Sequence, residues 1–330
     1  MQAHAGQSLI QLQQVTKRFG DRDVVRDVSW NIQPGEIFGI VGPSGCGKTT
    51  TVRLMTGVYI PTTGSVSVLG KNPATFNAHD REQLGYMPQL FVLYPNLNVV
   101  ENMRFAASMY GVSLTKRRKR IDELLDFVEL DQARRTLAGN ISGGMQRRLQ
   151  LAAALVHEPE LLFVDEPTAG IDPVLRGRFW DQFKELKAMG KSLVVTTQYV
   201  NEVAYCDRVA VMRDGQLLLV DTPDGLRRRA LGSDVLTIRV DAEDLRNAVR
   251  ILSRHQLVLG IERPHNAPLG SMMVYVDDAS TALPELLAAL ATDPTIDTRQ
   301  VGEYNPPFDD IFITLMERLE QPESKEQINA

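Results

Sequence analysis

The chain reads as an α/β protein with a largely parallel core sheet, followed by a small α+β domain. Three observations carry this reading. Short, mostly apolar runs at Ile37–Val41, 161–164 and Ser192–Thr197 are each bounded by turn or charged residues. Longer amphipathic segments separate these runs, and buried strands alternating with helices build a parallel sheet. From about residue 233 the rhythm changes to a shorter pattern of strands and helices.

In chain order, the first domain is expected over 1–232, with a boundary at Arg227-Arg228-Arg229-Ala230-Leu231-Gly232-Ser233. The second domain is expected over 233–330. There Asp234–Val240 reads as a strand, and Leu245, Val249 and Leu252 have helical spacing. Residues 272–276 form another strand candidate, and Leu283, Leu286, Leu287 and Leu290 make a second apolar helix face. A last strand is expected at 295–301 and a last helix at 308–317, and the segment is read as a β-α-β-β-α-β order, the plan of a split βαβ unit. The tail after Leu319 is polar and expected to fray.

Composition narrows the function. At 330 residues the chain is long enough for one large and one small domain. Its 43% hydrophobic and 23% charged residues suit a globular protein. A net charge of -5 and a pI near 5.7 argue against general nucleic-acid binding. Two cysteines, Cys46 and Cys206, cannot make a disulfide framework and point to reducing surroundings. Residues 1–14 lack a charged-then-apolar signal pattern. The longest apolar runs, such as 151–156, fall far short of the roughly 20 residues that cross a bilayer.

The strongest motif is Gly42-Pro43-Ser44-Gly45-Cys46-Gly47-Lys48-Thr49-Thr50, which fits the P-loop pattern of Gly, four residues, Gly-Lys-Thr. It follows an apolar strand and precedes 50–55, which can start a helix. Its glycines let backbone N–H groups turn toward phosphate oxygens, and the helix N-terminus adds a favourable dipole. Lys48 is placed to reach the β- and γ-phosphates of ATP, and Thr49 to bind Mg²⁺. A second site follows at Leu161-Leu162-Phe163-Val164-Asp165-Glu166, where two acids end a buried strand. That strand end faces the ligand edge of an α/β sheet. Asp165 fits a Mg²⁺-holding role, and Glu166 is placed to polarise an attacking water.

With these motifs in place, the first two-thirds of the chain resembles the ATP-binding cassette (ABC) family. The distinctive segment is Ile141-Ser142-Gly143-Gly144-Met145-Gln146, which is similar to the family signature. Ser142 and the glycines open a helix, so free N–H groups and a hydroxyl point outward. The resemblance implies a P-loop NTPase core with an inserted helical subdomain at about 90–155. It implies that Ser142, Gly143, Gly144 and Met145 grip the γ-phosphate held by a second cassette, a homodimer rather than a heterodimer. It makes Gln89 the glutamine that senses Mg²⁺ and the attacking water, and 98–111 part of the surface touching a separate transmembrane permease. Phe19 takes the place of the aromatic that stacks on adenine, and Asp172, in Ala169-Gly170-Ile171-Asp172, lies near the dimer interface.

One position departs from the family pattern. Gln198 stands where the family usually has a histidine. Glutamine can contact a γ-phosphate but cannot titrate. Either Gln198 substitutes as a polar contact or the site is slow and pairs with an active cassette; the presence of Ser142, Asp165 and Glu166 favours the first.

The last third resembles the accessory domain of daunorubicin-resistance-type exporters, through Pro306-Pro307-Phe308-Asp309-Asp310-Ile311-Phe312. The implied protein is an ATP-hydrolysing subunit on the cytoplasmic face of a membrane, driving export. The competing class is a non-transport ABC ATPase of DNA repair or ribosome work; a single P-loop and no sustained heptads speak against it. Lys116-Arg117-Arg118-Lys119-Arg120 reads as a solvated helix face, and His4, His79, His157, His255 and His265 show no metal-ligand spacing.

Overall fold

The computed structural model describes residues 8–263, 268–304 and 306–320. His4, His265 and the tail from 321 onward lie outside them. The chain divides into two compact units, one up to Pro223 and one from Asp224.

The first unit begins with β1 (Ile10–Phe19), β2 (Arg22–Ile32), β3 (Ile37–Val41), α1 (Lys48–Met55) and β4 (Thr63–Val68). There follow α2 (Ala78–Glu82), β5 (Leu84–Met87), α3 (Val99–Met109), α4 (Leu114–Phe127) and α5 (Gly143–Leu155). It ends with β6 (Leu161–Asp165), α6 (Pro173–Ala188), β7 (Ser192–Thr197), β8 (Arg208–Arg213) and β9 (Gln216–Asp221).

The main sheet has the order β5-β6-β7-β3-β8-β9, parallel except for the edge strand β9. Every residue of β3, β6 and β7 is buried, as a parallel centre covered on both faces requires. α6 packs against β3 and β7, and α1 lies between β6 and a second sheet. That second sheet, β2-β1-β4, is antiparallel. Its apolar residues Ile10, Leu12, Val28, Ile32 and Val68 join Phe38, Leu54 and Phe163 in one core.

The inserted helices α3, α4 and α5 pack on one another, and α5 also touches β5. Asn98 opens α3 with a capping box: its side chain accepts from Glu101 N at 2.9 Å, and Glu101 accepts from Asn98 N at 2.8 Å. One turn on, Asn102 is almost fully buried. Its amide accepts from Tyr94 N at 2.9 Å and donates to the carbonyls of Tyr94, Leu97 and Asn98 at 3.0–3.1 Å. A single side chain thus holds the entry segment 94–98 against α3.

The second unit contains nearly all of α7 (Pro223–Leu231), then β10 (Asp234–Val240), α8 (Leu245–Leu252), β11 (Val258–Glu262) and β12 (Ser271–Val276). It closes with α9 (Ala279–Leu290), β13 (Thr298–Glu303) and α10 (Phe308–Glu320). Its four-stranded sheet runs β11-β12-β10-β13 with every neighbour antiparallel, the strand order of a split βαβ unit. Leu236, Ile238, Met272, Val274, Leu252 and Leu286 form its core.

The sequence reading placed the boundary after Gly232, whereas the compact units part nine residues earlier. The reason is α7. Leu226 and Ala230 are buried, the Arg227 guanidinium lies 4.5 Å over the Phe308 ring, and Arg318 caps the carbonyls of Arg229 and Leu231 at 3.3 and 3.4 Å. The last strand also starts later than expected, at Thr298, because Asp293 and Thr295 form a local hydrogen-bonded turn.

Replacing Asn102 by alanine is expected to leave the amide of Tyr94 without its partner and to destabilise the fold by about 2 kcal/mol. Hydrogen exchange checks this: protection across 94–98 falls first, while the main sheet keeps its protection.

Candidate functional site

The loop between β3 and α1 is shaped by two glycines. Gly47 has φ +104°, a region that side-chain-bearing residues rarely enter, and a Cβ there would lie 2.7 Å from Val24 O. A Cβ on Gly42 would lie 2.1 Å from Met212 O, so only glycine permits β8 to press this closely. Cys46 is buried beneath the loop, and burial pushes its thiol up from the ordinary range. Gly45 and Ser44 form the exposed rim, and Thr50 continues α1.

Lys48 is buried at the start of α1, and its ammonium donates to Gly42 O at 2.7 Å and Pro43 O at 3.1 Å. Glu166 Oε1 lies 3.3 Å from the same nitrogen. The second Glu166 oxygen accepts from the Gln89 amide at 2.7 Å. The backbone of Glu166 sits at φ +47°, outside the usual range for its type. Its N–H is held there by Thr196 O at 3.1 Å and Thr196 Oγ1 at 2.9 Å. Such strain at a site persists only where the surroundings enforce it.

Asp165 accepts from Thr49 Oγ1 at 3.1 Å and from Thr196 Oγ1 at 2.5 Å. Thr49 and Asp165 thus meet as two hard oxygen donors. Among the described residues no group of three or more His, Cys, Asp or Glu could hold a metal. A donor set this sparse suits Mg²⁺, which takes one or two protein oxygens and completes its shell with phosphate and water. The Gln198 side chain accepts from Ser44 Oγ at 2.8 Å, which places it across the phosphate loop.

A second group of residues gathers around a cleft of about 460 Å³, lined by Gln89, Ser142, Gly143, Gly144, Ile171 and Asp172 among others. Ser142 caps α5, accepting from Met145 N at 3.3 Å, and Asp172 caps α6, accepting from Leu175 N at 3.0 Å. Both helices therefore open onto this cleft. Phe19 belongs to neither group. It is 42% exposed, packs edge-on against Tyr59 at 5.2 Å, and has the Lys17 ammonium 5.0 Å from its ring centre. It is therefore not a core phenylalanine.

Sequence reasoning missed Arg147 and Gln150. These stand one turn apart on α5 and reach back over the segment that carries Gln89. The Arg147 guanidinium donates to Gln89 O, and the Gln150 amide donates to Leu90 O at 2.6 Å. Their i, i+3 spacing puts them on one face of the helix opened by Ser142, but nothing in the sequence marks what that face meets. His157 follows α5, stacks on Tyr110 at 3.7 Å and reaches Leu84 O at 2.9 Å, a packing role.

A strand, glycine loop and helix carrying a buried lysine, with a hydroxyl and two carboxylates at the C-terminal edge of a parallel sheet, define a P-loop nucleotide-binding protein. The family model described as ABC transporter matches residues 25–169. Nod factor export ATP-binding protein I of Burkholderia lata is 36% identical over 253 residues, covering 76% of this chain and 83% of that protein. The probable multidrug ABC transporter ATP-binding protein YbhF of Escherichia coli K12 is 36% identical over 229 residues, 69% of this chain; the chain spans only 40% of that longer relative. The dimeric ATP-binding cassette MJ0796, solved in a post-hydrolysis state bound to ADP and Pi, superposes with a TM-score of 0.60 at 28% identity, covering 64% of this chain and 98% of that one. The chain belongs to the ABC transporter family and carries its ATP-binding cassette.

Gly42→Ala is expected to force β8 away from the loop and to weaken ATP binding by a factor of about 100 or more, since the cradle depends on close backbone approach. Equilibrium binding of a fluorescent ATP analogue checks it, with Gly302→Ala in β13, whose added Cβ meets nothing within 4 Å, as the control that binds normally.

Proposed function

We propose that this chain is the ATP-hydrolysing subunit of an ABC export system and works as one of two cassettes on a separate transmembrane permease. The observation that carries the reading is the grip on Glu166, whose two carboxylate oxygens lie against Lys48 and Gln89 at the mouth of the phosphate loop.

Lys48 exchanges its carbonyl partners for the β- and γ-phosphate oxygens of ATP, and the loop amides cradle the same phosphates. Thr49 and Asp165 would hold Mg²⁺ with Gln89 nearby, and the ion supplies neutralisation of phosphate charge. Glu166 orients a water for in-line attack on the γ-phosphorus and accepts its proton. Gln198 adds a neutral contact to the γ-phosphate from the far side of the loop. Phe19 is exposed and free to stack on adenine.

The residues that complete the site face elsewhere on the same chain. Ser142, Gly143 and Gly144 line the cleft where α5 opens, with Met145 next on the helix and Asp172 also in the cleft lining. A helix N-terminus presents unpaired N–H groups to an anion. Serving a phosphate bound on a second copy accounts for this placement, and a homodimer is the simplest assembly. The dimeric MJ0796 cassette supports pairing of this kind.

Attachment to the permease rests on a patch of exposed apolar side chains. Leu90, Val92, Tyr94, Phe105 and Met109 are all exposed and lie on α3 or just after Gln89. Tyr94 packs edge-on against Phe105 at 4.8 Å, and exposed apolar side chains grouped in this way suit a protein contact. No helix among the described residues is long and apolar enough to cross a membrane. The reading places the chain on the cytoplasmic face. The name of the Nod factor export relative supports export over import.

Glu166→Gln is expected to lower steady-state ATP turnover by a factor of about 10²–10⁴ while ATP still binds. Light scattering after size exclusion should show this variant shifting from monomer to dimer with Mg-ATP. Unchanged turnover would remove Glu166 from the role given to it, and a persistent monomer that binds ATP would point to a different partner cassette.

A further inference from the structure

Glu202 has no part in the motifs above, yet its side chain is wholly buried. It lies on the short turn Val200–Tyr205, four residues after Gln198. A carboxylate in such a place is costly unless its oxygens are satisfied. Three groups converge on it. Thr168 Oγ1 donates to Oε1 at 2.6 Å, Thr197 Oγ1 donates to Oε2, and Arg176 Nε lies 3.5 Å from Oε1.

The positions of these partners matter. Thr197 immediately precedes Gln198, and its hydroxyl also accepts from Tyr199 N at 3.0 Å. Arg176 lies 4.1 Å over the Tyr199 ring. Both neighbours of Gln198 are therefore fastened to the Glu202 network. Thr168 immediately precedes the loop 169–172, and Arg176 stands in the first turn of α6, just after that loop. One carboxylate thus holds the loop from both ends and the Gln198 turn from both sides.

We propose that Glu202 is a positioning residue for ATP hydrolysis, locking the Gln198 turn and the loop 169–172 into one rigid unit. Movement at a γ-phosphate and movement at the face carrying Asp172 are then the same movement. A contact formed with a second cassette sets Gln198, and a change at the phosphate is transmitted to Asp172. This rests on the assignment of the site given above.

The test uses the full chain with Thr168→Val and Thr197→Val, which keep side-chain shape and remove the hydroxyl, beside the matching serine variants, which keep the hydroxyl. Glu202→Gln joins the set, and Glu166→Gln monitors the site itself. ATPase kcat and KM, fluorescent ATP-analogue binding and thermal midpoint are measured for each. The valine variants and Glu202→Gln should lose about tenfold or more in kcat, with KM and analogue binding within about twofold. The serine variants should regain most of the rate, and Thr168→Val with Thr197→Val together should be no slower than the worse single, as expected for residues acting as a unit. If valine and serine variants both turn over normally while Glu166→Gln is slow, the role of Glu202 is overturned and the site assignment stands. Rate losses that follow the thermal midpoint regardless of the hydroxyl overturn it equally. A normal rate in Glu166→Gln overturns the site assignment, and the proposal with it.

Discussion

β6, β7 and β3 run parallel and side by side, with Asp165 paired to Thr196 and Val41 to Thr197. Their C-terminal ends therefore reach the same edge in register. The residues that follow β3 and β6 are tied back to the end of β7, just before Gln198: Gly42 N donates to Thr197 O at 3.3 Å and Glu166 N to Thr196 O at 3.1 Å. Full burial of all three strands enforces this register, because a slip of one residue would expose polar backbone in a dry core. The remaining site chemistry depends on it.

A similar economy governs the helical insertion. Gln89 is on a loop, and a loop alone would hold its amide poorly. Arg147 and Gln150 on α5 bind the carbonyls of Gln89 itself and of Leu90, and Asn102 on α3 fastens the segment that follows. The helix that opens with Ser142 is thus mechanically joined to the glutamine that touches Glu166. Displacement of α3 or α5 by a membrane partner would be felt at the carboxylate through packed side chains and hydrogen bonds, the physical medium such coupling requires.

Gln198 gives the site a character of its own. A histidine there could gain or lose charge near neutral pH, but glutamine remains neutral and offers one donor group and one acceptor. Its carbonyl oxygen already accepts from Ser44, so the loop and the turn are joined without a titrating group. On the proposed reading, electrostatic control of the γ-phosphate falls to Lys48 and Glu166, whose charged ends lie 3.3 Å apart in a buried setting.

Local order in the chain sufficed for the P-loop, the acids ending β6, the helix opened by Ser142 and the alternation of the second unit, because each is a contiguous run whose chemistry follows from neighbours in sequence. The antiparallel sheet was not legible. β1 and β2 carry bulges, with Gln14 at φ +49° and Asp27 at φ +47°, and these break the two-residue alternation that marks a half-buried strand. β11 buries no residue fully and so lacks an apolar signature. The nine-residue shift of the domain boundary came from α7 packing with α10, where Arg318 reaches back 89 residues to Arg229. Glu202, Arg147 and Gln150 were equally silent, since a buried carboxylate and two helix polar groups look ordinary until their partners are known. By itself the sequence determined which groups could bind phosphate and act on water, because residue type sets that chemistry. Only the tertiary structure decided which of them share an edge and which open onto a separate cleft, because strand register and helix packing bring distant residues together.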